Sequence, residues 1–278
     1  MSNDIILSIK NNLAKVGVDD ETLAVAGKSG GGGGGGNKRI SIKGGVFRKY
    51  VGGKEVAAVE DRHMNVVFVK MSPNPSRTYY TGAYKEGEKI APVCWSSDSK
   101  SPDSEVKNPQ SSSCDTCQFS VKGSGQGGSG SACRMSWRTA VVLPNDPSGD
   151  VMQLVLPATS AFAKEDGGKW GFRPYCQYLA NNNISAKHVV TKMQFDTKSP
   201  VPKLMFSPVA AVDDSALPIL EAQSKSQAAE NAVKLTVYQS DESDAPGVPE
   251  PVLRKSDKAE TIPSEDVSDV IKKWSKKK

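Results

Sequence analysis

Four of the five cysteines fall in one stretch of the chain, at Cys94, Cys114, Cys117 and Cys133. Two thiolates two residues apart in a turn, as in the CDTC pair, can bind Zn²⁺ from one side, and single cysteines on each flank can complete a tetrahedral set. A closed set of four sulfurs leaves no position for a reactive water, so the chemistry it indicates is structural. We predict a structural Zn²⁺ held by these four residues.

The composition around the cysteines favours a metal, because residues 92–134 are dominated by Ser, Pro, Gly and Asp. Such a segment buries too little apolar surface to fold by itself, and a bound ion would supply the missing free energy. We define it as the zinc subregion. Three alternatives remain open: a redox role for the Cys114–Cys117 pair, although the α/β pattern of thioredoxin-like proteins is absent; inert thiols; and His63 as a replacement ligand.

Basic and aromatic residues alternate in several segments near the cysteines, a pattern typical of single-stranded nucleic-acid binding. Cations neutralise phosphates, and exposed rings stack on unpaired bases. The alternative is that about half of the rings point inward from their strands and belong to the core. The predicted contact residues are Arg39, Lys43, Arg48, Lys49, Tyr50, Arg77, Tyr79, Tyr80, Tyr84, Trp95, Arg134, Trp137 and Arg138.

The net charge of +5 is unevenly distributed. Residues 37–210 carry 23 Lys and Arg against 14 Asp and Glu, or +9, whereas residues 1–36 carry −1 and residues 211–278 carry −3. A basic body with a more acidic tail suits a polyanion-binding domain whose tail competes for the same surface or recruits a partner. Ordinary scatter of surface charge is the alternative interpretation.

Short segments rich in branched and aromatic residues predict strands between residues 38 and 208, separated by glycine and proline turns that favour antiparallel hairpins. Helices are predicted near residues 170–184 and 217–233, the second with Pro218 in its first turn. The predicted fold is mainly β with short helices: an OB-like antiparallel barrel or sandwich with an inserted zinc-binding loop region. This β-rich nucleic-acid-binding domain spans residues 38–239.

The two ends of the chain are predicted to be separate from this domain. Residues 1–29 form an N-terminal helical arm, followed by a glycine linker at 30–37; residues 240–263 form an acidic disordered linker. Residues 264–278 form an amphipathic helix that either docks on the body or enters a partner's groove. Its apolar stripe, the predicted partner-binding surface, consists of Val267, Val270, Ile271 and Trp274.

Signals for catalysis and for export are weak. The segment AGKSGGG lacks the first glycine and the preceding strand of a phosphate loop, and no motif of a hydrolase is present. We therefore predict no catalytic residues and no enzyme, with a metal-dependent nuclease left as an alternative if scattered carboxylates meet in the fold. The N-terminus has no signal-peptide pattern and no run long enough to cross a bilayer, so we expect an intracellular protein without membrane partners.

Several motifs carry a resemblance within residues 38–208: RISIKGGVFRKYVGGKEV, then PVCWSSD, CDTC and AC-x-M-x-W-R. The body resembles phage-encoded proteins and is loosely similar to the zinc-containing single-stranded DNA-binding proteins of phage replication. It differs from the latter in having four cysteines instead of a histidine and three cysteines, and in its basic C-terminal end, KKWSKKK.

The resemblance implies a β-barrel of oligonucleotide-binding type that binds single-stranded DNA in replication or recombination, in the host cytoplasm. It also implies self-association through the N-terminal arm and contacts with replication proteins through the C-terminal tail. The alternative function is a zinc-bearing transcription or virion accessory protein that acts through protein–protein contacts.

Overall fold

A computed structural model describes residues 38–59, 61–81, 91–125, 128 and 130–237. The predicted N-terminal arm, glycine linker and acidic linker lie outside these residues. So does the C-terminal helix with Val267, Val270, Ile271 and Trp274, and so does Tyr84. No helix in the described ranges is long and apolar enough to cross a membrane.

The described part of the chain is mainly β with short helices, as the sequence predicts. Ten strands form one mixed sheet. The strands are β1 (Arg39–Ser41), β2 (Phe47–Val51), β3 (Lys54–Val59), β4 (His63–Met71), β5 (Ser76–Tyr79), β6 (Cys94–Ser96), β7 (Cys133–Val142), β8 (Met152–Pro157), β9 (Val189–Phe195) and β10 (Leu204–Ala211). The α-helices are α1 (Ala158–Ala161), α2 (Phe172–Asn181), α3 (Leu217–Ser224) and α4 (Gln227–Val233).

The strand order is β10-β9-β4-β7-β8-β1-β2-β3, and the β5–β6 pair joins the first residues of β7, from Cys133 to Ser136. Neighbours are antiparallel except for β1 and β8, which are parallel. The β2–β3 hairpin turns at Gly52 and Gly53, whose φ angles of 59° and 81° suit the two-residue turn that matches the twist of paired strands.

The sheet curls on itself. Phe47 on β2 and Phe195 on β9 are separated in the strand order by four strands, which would place them about 24 Å apart in a flat sheet. Their ring centroids are 4.6 Å apart. The sheet therefore forms a half-barrel, and its concave side holds the main core.

Helices cover both faces of the sheet. Phe172, Tyr175 and Leu179 of α2 belong to the main core, whereas Leu220 of α3 joins a second apolar cluster with Val67 and Val69 of β4. Consecutive residues of β4 are therefore buried on alternate sides, which explains why its sequence is a continuous apolar run.

The predicted helices at 170–184 and 217–233 are both present, but the second is interrupted. Pro218 occupies the first turn of α3, as expected for a residue without a backbone N–H. A new helix then begins because the Ser226 hydroxyl accepts a hydrogen bond from the backbone N–H of Ala229 and caps α4.

Candidate metal centre

Two of the four clustered cysteines lie in one row, on the two strands that flank β5. Tyr79 on β5 is the register partner of Cys94 on β6 and also of Cys133 on β7. Residues directly opposite each other in a sheet point to the same face. Cys94 and Cys133 therefore flank Tyr79 on one face of the β6–β5–β7 layer, and both thiols are buried.

The loop between β6 and β7 folds over this face and brings the other two cysteines to it. The ring of Phe119 stacks on Tyr79 with 4.2 Å between centroids. The backbone N–H of Cys114 donates to the carbonyl of Lys100 at 2.8 Å, and the carbonyl of Cys117 accepts from Ser120 N–H at 2.9 Å. These contacts hold the CDTC segment against the strands.

All four thiols line one cavity, together with Arg77 and Ser96. The space at its centre is about 10 Å³, which is room for roughly one water-sized particle. Such a volume is large enough for a single ion. Cys94, Cys114, Cys117 and Cys133 are therefore neighbours in space as well as in sequence.

Burial is costly for these thiols in their charged form. The pKa of Cys133 is raised to about 11, and burial is the largest cause. Nearby Arg77 acts to lower this pKa, whereas the other three thiols act to raise it. Burial also raises the pKa of Cys114, against the hydrogen bond from Ser96 and the charge of Arg77. A divalent cation at the centre would reverse this preference, because a coordinated thiol is deprotonated outright.

The donor set fits Zn²⁺, since four sulfurs without a carboxylate or an open position are typical of structural zinc sites. Within the described ranges, however, no group of three or more His, Cys, Asp or Glu side chains is placed so that it could hold a metal ion. The four cysteines share one cavity without forming a metal-binding arrangement in this structure.

The other candidate ligands lie elsewhere. His63 begins β4, is exposed, and does not line the cysteine cavity. Cys176 lies on α2 and packs against the main core. Cys117 precedes a single 3-10 turn, Gln118–Ser120, and not the α-helix that a thioredoxin-like redox motif requires.

The opposite face of the same layer carries several of the predicted nucleic-acid contacts. Thr78 is the register partner of Trp95 on β6 and of Arg134 on β7. Thr78 is buried, Trp95 is half-buried and Arg134 is exposed, with half-buried Tyr80 close enough to Arg134 for their charges to interact. We call Trp95, Thr78 and Arg134 the outer row.

On β1 and β2, the predicted contacts mostly engage other residues of the chain. The guanidinium of Arg39 lies 4.5 Å from the ring of Tyr50, whose hydroxyl donates to Glu55 at 3.1 Å. Arg48 forms an ion pair with Glu55 at 3.4 Å. Lys43, in a 3-10 turn, is exposed.

Three predicted contacts belong to the interior. Arg138 and Arg39 are only 1% and 7% exposed, and burial argues against direct contact between their guanidinium groups and a nucleic acid. Trp137 packs against Phe172 and donates its indole N–H to the carbonyl of Ser72 at 2.8 Å. Trp137 and Arg138 are consecutive on β7 and so point to opposite faces of the strand, and both faces are covered.

Arg77 and Tyr79, also predicted to contact nucleic acid, instead face the cysteine cavity. The sequence offered a signal for this: residues two apart on a strand share a face, so once Tyr79 aligns with Cys94, Arg77 aligns with Ser96. Phe119, which the sequence does not single out, is the second residue after CDTC and lines the cavity.

Lys49, another predicted contact, is held by Asp150, which lies two residues before β8. Asp150 accepts from Lys38 at 2.6 Å and from Lys49 at 2.8 Å, which ties β1 and β2 to the β7–β8 connection. Burial of Asp150 opposes its ionisation, but the two lysines outweigh burial and lower its pKa.

Because the folded-state pKa of Asp150 is lowered, its stabilisation should be complete above the unfolded value of about 3.9 and be lost as pH falls through the folded value. We expect Asp150→Asn to lower the free energy of unfolding by about 1 kcal/mol at neutral pH, since the pair is partly solvent-screened. Urea unfolding at several pH values should show this difference shrinking below about pH 4. A pH-independent difference would contradict the account.

No family model, curated protein or solved structure matches this chain. Its function must therefore be argued from the site itself.

Proposed function

We propose that this protein is a non-enzymatic single-stranded DNA-binding protein with a structural Zn²⁺ held by Cys94, Cys114, Cys117 and Cys133. One observation carries the proposal: the cysteines of the metal face and the residues of the outer row are sequence neighbours on the same strands. Cys94 precedes Trp95, Cys133 precedes Arg134, and Tyr79 follows Thr78.

This arrangement links metal binding to DNA binding. An ion that fixes Cys94 and Cys133 on one face also fixes the backbone that holds Trp95 and Arg134 on the other. When a ring and a cation are held at a fixed distance, the ring can stack on an unpaired base while the cation neutralises the phosphate of that nucleotide. Two short strands and a loop poor in apolar residues would not hold that separation without further support.

The rest of the body is compatible with this role. The sheet is a half-barrel, and the net positive charge of the chain lies within residues 37–210. A phage-encoded protein of DNA replication or recombination is the class we propose, with the N-terminal arm serving self-association and the C-terminal tail serving replication proteins.

The experiment is a fluorescence-anisotropy titration of labelled oligo-dT at about 50 and 200 mM salt. We expect binding at low salt that weakens at high salt, with a slope of log K against log salt of about −0.7 per neutralised phosphate. A duplex of the same length should bind more weakly, because its bases are already stacked. Absence of binding to oligo-dT at low salt would end the proposal.

The same samples distinguish a nuclease from a binding protein. After incubation with Mg²⁺ or Mn²⁺, the oligonucleotide should remain full-length on a denaturing gel. Shortened products would instead indicate that carboxylates of the chain assemble a catalytic metal site.

A further inference from the structure

Arg77 is a charged residue whose side chain lies at the cysteine cavity without a carboxylate partner. Its register partners are Ser96 on β6 and Met135 on β7, which places it one row from Cys94 and Cys133 on the same face. It lines the cavity, and its Nε is buried with no hydrogen-bond partner in the structure. Within the described residues it forms no ion pair.

An unpaired buried donor costs about 1–3 kcal/mol, and more when the group is charged, so its position requires an explanation. Four thiolates around Zn²⁺ provide one, because they carry a formal charge of −2 in a site shielded from water. Thiolate sulfur accepts hydrogen bonds, and a guanidinium beside it both donates a hydrogen bond and offsets charge.

We infer that Arg77 is the outer-shell partner of the metal centre, donating its Nε–H to a coordinating thiolate and balancing half of the excess negative charge. Ser96, which also lines the cavity, donates its hydroxyl hydrogen to Asp98 at 3.0 Å, so Arg77 is the charged donor on this side of the site. The inference rests on the proposed zinc site, and it changes the role of Arg77 from a nucleic-acid contact to a positioning residue for the metal ligands.

The geometry separates this role from DNA binding. Arg134 lies on the neighbouring strand next to Cys133, but it points to the outer row. The two arginines are thus a matched pair: similar side chains on adjacent strands, one facing the cavity and one facing away from it. Only the first should affect the metal, and only the second should affect the oligonucleotide directly.

The test compares Arg77→Gln, Arg77→Lys and Arg134→Gln by competition for Zn²⁺ with a chromophoric chelator. Losing an outer-shell partner typically lowers metal affinity about 10–100-fold, and we expect a loss in this range for Arg77→Gln. Arg77→Lys keeps the charge without the planar Nε donor and should fall in between. Arg134→Gln should match the wild-type protein.

A spectroscopic readout separates hydrogen bonding from general loosening of the loop. In Co²⁺-substituted protein, losing the donor to a thiolate should move the sulfur-to-cobalt charge-transfer band to longer wavelength in Arg77→Gln, while the ligand-field bands stay tetrahedral. If Arg77→Gln does not fold, Arg77→Lys provides the same measurement.

Wild-type affinity and an unshifted band in both Arg77 variants would overturn the inference while leaving the zinc site intact. An equal loss in Arg134→Gln would overturn it as well. A wild-type protein that binds neither Zn²⁺ nor Co²⁺ would instead overturn the proposed metal site on which the inference rests.

Discussion

Replacing Cys114 or Cys117 with serine should remove zinc from the purified protein and release the loop between β6 and β7. The expected loss of affinity exceeds the roughly 100-fold upper range for outer-shell changes, because a coordinating thiolate itself is removed. Structural zinc contributes about 10–16 kcal/mol of apparent binding free energy in small domains, and the loop has little apolar burial to replace it. Elemental analysis and limited proteolysis, read by mass spectrometry, measure both effects.

The fifth cysteine provides the control for this experiment. Cys176→Ser also removes one thiol, but from α2, where the side chain packs against the main core. We expect unchanged zinc content and no new cleavage in residues 97–132. If the Cys114 and Cys117 variants keep one zinc per chain, or if Cys176→Ser loses as much zinc as they do, the four-thiol assignment is wrong.

Trp95→Ala should weaken the binding of oligo-dT without changing zinc content. Stacking of a base on an aromatic ring is worth about 1–3 kcal/mol, so the dissociation constant should rise about 5–150-fold. Trp95 is half-buried in the outer row, one register position from Cys94, and it also lines part of the cysteine cavity, so zinc content is measured beside oligonucleotide binding. Anisotropy titration at low salt, with elemental analysis of the same preparation, measures the two quantities together.

Two further variants make that result specific. Arg134→Ala should reduce the magnitude of the salt slope by about 0.7 to 1, because one phosphate contact is lost. Tyr178→Ala removes a ring that is 39% exposed on α2, outside the outer row, and should leave binding unchanged. Equal losses in Trp95→Ala and Tyr178→Ala, or no loss in Trp95→Ala, would contradict the proposed interface.

The sequence predicts much of the fold because local signals and tertiary packing agree over most of the body. The continuous apolar run of β4 and the Gly52-Gly53 turn are recognisable without the structure. The parallel pairing of β1 with β8 is not, since turn signals describe only neighbours in the chain, and this pair joins segments more than a hundred residues apart. The interruption between α3 and α4 depends on a single capping serine, Ser226.

The sequence indicates which cysteines belong to the candidate site, but it does not indicate to which face of the sheet the neighbouring side chains point. The spacing of CDTC and its flanking cysteines predicts that the thiols meet, whereas the strand register decides which neighbours share their face. Arg77 and Arg134 show the difference, because both occur in basic, aromatic segments and yet point to opposite sides. Arg138 is a second example. A basic residue beside a tryptophan is typical of an exposed binding surface, but Arg138 is buried in the structure.

The central claim is that four sulfurs converge on one zinc ion, and X-ray absorption at the zinc edge tests it most directly. The account predicts one zinc per chain with four Zn–S distances of about 2.3 Å and no nitrogen or oxygen ligand. A zinc-free protein from a zinc-supplemented preparation, or a first shell with fewer than four sulfurs, would contradict it.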